Sequence, residues 1–168
     1  MRDAFGGVFM MRFLLVFIFV YVTFTAVSLN YAKAFRIKNS VIDVIEQSQI
    51  TSVKSLNSGS GSVLRKIDKV LDKANYNKEC KNGNGQLNRE KGTGQAYCYR
   101  GVVIEEKENT TRYVTYNVYT YADWNIGALN IVFKLGNKAQ NANAVVDGAW
   151  EIGGLATVTK RQNSKYKY

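Results

Sequence analysis

The side chains with the most chemistry to offer are two cysteines, Cys80 and Cys98, which flank a polar, glycine-rich stretch, KNGNGQLNREKGTGQAY. Two thiols fall short of the four ligands of a structural zinc site, and their spacing is not C-x-x-C. A disulfide between them would close the intervening loop and stabilise the fold by about 3 kcal/mol, provided the domain sits in an oxidising compartment. The other reading is a pair of unrelated reduced thiols. Histidine is absent, which removes the commonest general base and a leading zinc ligand. Proline is absent too, while Asn, Lys, Tyr and Ile abound, so part of that absence reflects biased residue usage along the whole chain. Asp123, Asp147 and Glu151 are carboxylates that a fold could gather, but no spacing fixes their separation. Gly83, Gly85, Gly92 and Gly94 suggest a phosphate loop, yet neither G-x-x-x-x-G-K-[ST] nor G-x-G-x-x-G after a strand occurs. These residues point away from an enzyme, and no catalytic residue, cofactor, metal or small-molecule substrate is expected.

The elements around them are more informative. With 168 residues the chain holds one modest domain plus a membrane segment. Its 23 Lys and Arg against 13 Asp and Glu give a net +10, which favours anionic partners such as wall polymers, lipid headgroups or nucleic acid. Phe13 to Leu29 carries no charge, and the apolar run reaches back to Val8 with Arg12 as its one interruption. That is long enough to span a bilayer, and Arg12, about one turn in, can snorkel to the interface. The helical pattern then continues without Gly or Pro. Phe35, Ile42 and Ile45 follow at steps of 7 and 3, beside a row of Ile37, Val41 and Val44. Residues 8–50 therefore read as a transmembrane helix that runs on as an amphipathic one. A signal peptide cut at Ala32-Lys33-Ala34, before Phe35, is the alternative; the length of the apolar run and the unbroken pattern favour a retained anchor. Arg2 and Arg12 lie on one side of the span, and Lys33, Arg36 and Lys38 on the other, which weakly places the larger domain in the cytoplasm. The cysteines argue the opposite. We weight them more and expect a single-pass cell-membrane protein with its C-terminal domain extracytoplasmic.

Residues 51–95 read as a Gly/Ser-rich linker, a second helix and a polar loop. Ser62 is placed to cap that helix, whose Leu64, Ile67, Leu71 and Ala74 share a face. From Ala96 the period becomes two. AYCYRGVVIEEKE and RYVTYNVYTYAD read as strands joined by a turn near Glu108-Asn109-Thr110, LNIVFKL as a third, and WEIGGLATVTKR as a fourth with Gly153-Gly154 as a bulge or bend. A basic tail, 162–168, follows. The fold class is α+β, a long N-terminal helix followed by a small antiparallel sheet domain over 96–161. Tyr113, Thr115, Asn117, Tyr119 and Tyr121 would share one face of the second strand. Tyrosines beside Lys and Arg can stack on bases or sugars, but Tyr is also simply a good strand former.

The layout begins with a short polar leader, residues 1–7, ending in Gly6-Gly7. An apolar helix then runs on as an amphipathic one, followed by a loop, an antiparallel sheet and a cysteine pair. It resembles a type IV pilin-like protein, and within that group a minor pseudopilin of the Tad type. The resemblance implies cleavage after Gly7, leaving Val8 as the new terminus. It also implies assembly with other copies or other pilin-like subunits through the N-terminal helix, in a surface filament or a secretion or adhesion apparatus. On this chain the assembling face would comprise Phe13, Phe17, Val20, Phe24, Phe35, Ile42 and Ile45. Type IV pilins usually carry Glu at the fifth mature position; Arg12 stands there, so a carboxylate pairing with a neighbour's amino terminus does not carry over. Two readings compete with assembly. One is a single-pass anchored or secreted binding protein whose sheet domain contacts wall polymer, glycan or nucleic acid. The other is an anchored adaptor with a cytoplasmic domain and free thiols.

Overall fold

A computed structural model of the chain describes residues 2–57, 63–81, 83–87, 95–123 and 149–160. The first element, α1, is one continuous helix from Arg2 to Ser48. Its 47 residues make a rod of about 70 Å at 1.5 Å per residue. No residue inside it breaks the backbone ladder, as the lack of Pro requires. It stops at Gln49, which takes a left-handed conformation with φ of 49°.

The segment after the rod is not all linker. Ile50, Val53 and Leu56 are buried, the last two on a short 3-10 turn, Val53–Asn57. The second helix, α2, spans Val63–Lys73 and buries Ile67 and Leu71 on the expected face. Ser62 lies outside the described residues. The helix ends in a left-handed Asn75, with Tyr76 N–H donating back to the Leu71 carbonyl at 2.9 Å. That closure turns Tyr76 into the core.

Five strands form an antiparallel meander in chain order: β1 Gly85–Leu87, β2 Ala96–Tyr99, β3 Val102–Asn109, β4 Tyr113–Asp123 and β5 Ala149–Thr159. The stretch AYCYRGVVIEEKE, expected as one strand, is two. Arg100 and Gly101 both have positive φ, 47° and 75°, and Tyr99 pairs with Val102 across them. This is the two-residue hairpin turn whose twist matches that of its strands. Gly101 cannot be replaced cheaply there, since a Cβ would lie 2.3 Å from Lys78 Cβ. A further strand, β1, lies inside the expected polar loop.

The sheet's register also corrects Gly153-Gly154. The β4–β5 pairing runs unshifted from Tyr113–Thr159 to Asp123–Ala149, so the two glycines make no bulge. Their role is clearance: a Cβ on Gly154 would lie 2.8 Å from Ile42 Cδ1 and 2.9 Å from Lys38 Cδ. The irregularity in the register falls between Glu106 and Glu108 on β3. The expected strand LNIVFKL and the 162–168 tail lie outside the described residues.

The main core lies between the second half of α1, α2 and one face of the sheet. Val41, Ile45, Leu56, Ile67 and Leu71 meet Val114, Tyr116, Val118, Ala156 and Val158 there. A smaller core on the other face gathers Cys80, Cys98, Leu87, Ala96, Val103 and Tyr121.

Candidate membrane-anchoring and assembly surface

The rod divides into two environments. From Val8 through Leu29 its apolar side chains stand in solvent on every side, with Phe13 67%, Phe17 68%, Val20 58% and Phe24 70% exposed. Water does not tolerate an apolar surface of this extent, whereas hydrocarbon does. One helix, Gly7–Ser48, is long and apolar enough to cross a membrane. Two hydroxyls in this half are satisfied within the helix, as lipid requires. Thr25 Oγ1 donates to the Tyr21 carbonyl and Ser28 Oγ to the Phe24 carbonyl, each at 2.9 Å. Arg12 is the one charged residue within the run, and its long stem suits the interface.

The second half docks. Ala34, Ile37, Val41 and Ile45 are buried at steps of 3, 4 and 4, the stripe of a helix lying on a surface. Side-chain to backbone hydrogen bonds fix its position along the sheet. Thr120 Oγ1 donates to the Ala34 carbonyl at 3.0 Å and Tyr116 Oη to the Ile50 carbonyl at 2.9 Å. Glu46 Oε1 accepts from Thr157 N–H at 3.2 Å, and Glu106 Oε2 accepts from Val53 N–H at 3.3 Å. Lys38 is buried along its stem and sets its Nζ 3.3 Å from the Gly153 carbonyl and 4.1 Å from the Phe35 ring centre. Burial, with the Glu106 charge adding to it, pushes the Tyr116 phenol above its ordinary value.

The residues expected to form an assembly face thus fall into three places. Phe13, Phe17, Val20 and Phe24 are open, but so are Leu14, Leu15 and Val16 between them, and no stripe is distinguished by exposure. Phe35, 42% exposed, stands at the margin of the docked half. Ile45 is fully buried in the chain's own core with Ile42 packed partly against it, so these two hold the sheet. The stripe that docks was missed in part, because Ala34 and Lys38 are not residues that an apolar count selects. Gly7 and Val8 lie in the second turn of α1.

Cys80 and Cys98 are joined by a disulfide across 18 residues of sequence. It ties the approach to β1 to strand β2, within the smaller core. Beside it, Arg100 Nη1 contacts Asp68 Oδ1 at 2.8 Å and Asp72 Oδ1 at 2.6 Å, clamping the β2–β3 turn to α2. The Arg100 hydrogen bond holds the Asp68 carboxyl below its usual range, against a smaller opposing effect of burial. Tyr76 completes this corner. Its hydroxyl accepts from Tyr121 N–H at 3.0 Å and sits 3.3 Å from the Gly101 and Tyr121 carbonyls. The β3–β4 register ends at Val103–Tyr119, so the phenol takes the place of a strand partner for Tyr121.

Of the three carboxylates only Glu151 is described, since the Asp123 side chain and Asp147 lie outside the described residues. Glu151 is 3.4 Å from the Tyr121 hydroxyl. Among the described residues no group of His, Cys, Asp and Glu is placed to hold a metal ion. No protein-family model matches the chain, nor does any curated protein or solved structure.

Proposed function

We propose that this protein is a membrane-anchored, pilin-like structural subunit that assembles through its N-terminal helix. One observation carries the reading: a single unbroken helix, Arg2–Ser48, is apolar on all sides in its first half and docked on a sheet domain in its second. A simple anchor needs a span and a tether. It has no need of a rigid, helical continuation from lipid into the core of the soluble domain. A subunit that waits in the bilayer and then packs helix on helix does need one, because the rod fixes the domain's orientation on the axis of assembly. The Cys80–Cys98 disulfide supports an extracytoplasmic domain, since such bonds persist in oxidising compartments. The expected partners are the bilayer and further copies or related subunits, with anionic wall polymer or nucleic acid outside.

The test is intact mass spectrometry of the protein from its native envelope, with and without reduction, together with cross-linking through a cysteine placed at Phe17 or Phe24. A terminus at Val8 and cross-linked ladders are expected. A terminus at Phe35, or monomers alone after cross-linking, sinks the proposal.

A second reading has its own observation. On the sheet face away from α1, Tyr113 and Leu155 are 38% and 53% exposed. An anchored binding protein would use that face, and binding of wall glycan or polymer by a monomeric chain would favour it.

A further inference from the structure

At the junction of the two halves of α1 lies an open cavity of about 100 Å³. One water needs roughly 10–15 Å³ of such space, so the cavity has room for a polyatomic group. Asn30 and Lys33 come from the helix, and Asn75, Tyr76, Asn77 and Lys78 from the turn after α2. None of the described residues lining it is acidic. The donors are held in place. Lys33 Nζ donates to the Asn75 carbonyl at 3.0 Å, and Lys78 Nζ lies 5.6 Å from the Tyr76 ring centre. Arg100 Nε donates to Asn77 Oδ1 at 3.3 Å, which leaves the Asn77 NH₂ as the end able to donate elsewhere. Two lysines and asparagine amides around an open cavity suit an oxyanion.

The depth of the cavity decides which one. Asn30 directly follows Leu29, the last residue of the uncharged run, and Lys33 is about 6 Å further along the axis. The polar headgroup layer of a bilayer is about 5–8 Å thick on each side. With the span in the hydrocarbon, the cavity opens at the level of the lipid phosphates. We propose that it receives the phosphate of an anionic lipid headgroup, so that the docked turn and the helix clasp one lipid between them. This rests on the membrane-anchored part of the reading above and not on assembly.

The test uses the full chain reconstituted in nanodiscs of phosphatidylcholine with a minor fraction of phosphatidylglycerol, followed by native mass spectrometry of retained lipid. Flotation with pure phosphatidylcholine vesicles reports the anchor separately. Retention of phosphatidylglycerol over phosphatidylcholine is expected. It should fall about fivefold in Lys78→Gln and more than tenfold when Lys33→Gln is added. Arg36→Gln, exposed and three residues beyond Lys33, should change it much less. Lys78→Gln keeps the Lys33–Asn75 contact, so its effect can be read in a folded domain. Equal losses in Arg36→Gln and Lys78→Gln would mean diffuse surface charge and overturn the site, as would equal retention of the two lipids. Displacement by millimolar inorganic phosphate would make free phosphate the ligand and overturn the lipid assignment. A chain that fails to float with phosphatidylcholine vesicles removes the anchor, and the site with it.

Discussion

Phe24 and Val41 sit on the same helix, 17 positions apart, and are both apolar; one is 70% exposed and the other not at all. The two halves of α1 differ both in how many apolar residues they carry and in where the polar ones stand. Beyond Lys33 the exposed positions of the helix are Phe35, Arg36, Asn39, Asp43, Glu46 and Gln47, with aliphatic residues confined to one stripe. Before it no such division exists. A helix with one apolar stripe is answered by a sheet, and a helix apolar all round is answered by lipid or by other helices. One rod therefore carries two kinds of surface, and the boundary between them falls at Asn30 to Lys33.

A charge placed in each half breaks or sharpens that comparison most strongly. Val41→Asp puts a carboxylate at a site without water or partner and should cost more than about 4 kcal/mol, leaving the domain unfolded by circular dichroism in micelles. Phe17→Asp should leave the domain's urea midpoint unchanged to within about 0.5 kcal/mol. It should instead weaken insertion of the span by about 3 kcal/mol, read as loss of carbonate-resistant membrane association. Equal destabilisation of the domain by both would show that the halves are not separate.

The disulfide gives the next largest effect. Replacing Cys80 and Cys98 together by Ala should lower domain stability by about 3 kcal/mol, as expected for a closed loop of this size, measured by urea denaturation. The span should partition into vesicles as before. Any loss of membrane association in that variant would couple the smaller core to the lipid half, which no contact in the described residues suggests.

Much of this division is legible in the sequence, because periodicity reports environment. The shift from an all-apolar run to a stripe marks where α1 begins to dock on the sheet, and the two-residue period of RYVTYNVYTYAD marks β4. What is not legible has physical causes. Arg100-Gly101 hides a hairpin inside an apolar run. Arginine there occupies a left-handed conformation that local preference disfavours, and contacts to Asp68, Asp72 and Asn77 hold it. Ile50, Val53 and Leu56 are core residues inside a polar segment, too sparse to set a period. Gly153-Gly154 reads as a bend, whereas the reason for Gly154 is the approach of a helix from elsewhere in the chain. The cavity below Lys33 could not be read at all, since its two sides are more than 40 residues apart.

A smaller test concerns how the docked half is held at its far end. Tyr116→Phe removes the hydroxyl that meets the Ile50 carbonyl and leaves that buried acceptor unpaired. A loss of about 1–1.5 kcal/mol is expected in the urea midpoint, with no change in insertion. A neutral result would mean that apolar contact alone seats α1 on the sheet.

The smallest effect separates the halves by titration. The Asp68 carboxyl is held below its usual range by Arg100, so its contribution to stability is fully present above the unfolded value of about 3.9 and fades as pH falls through the folded one. Asp68 is about a third exposed, 36%, so solvent screening limits the gain to less than about 1 kcal/mol. Comparing the chain with Asp68→Asn isolates it. The wild-type advantage should be constant from pH 7 to pH 5, shrink below pH 4 and go on shrinking as the pH is lowered further. Over the same range, association of the span with neutral lipid vesicles should stay flat, because Phe13 to Leu29 contains nothing that gains or loses a proton there. A parallel fall in both would tie the clamp on α2 to the seating of the helix in lipid, and the boundary at Asn30 to Lys33 would then be a joint that transmits force rather than a border between two independent parts.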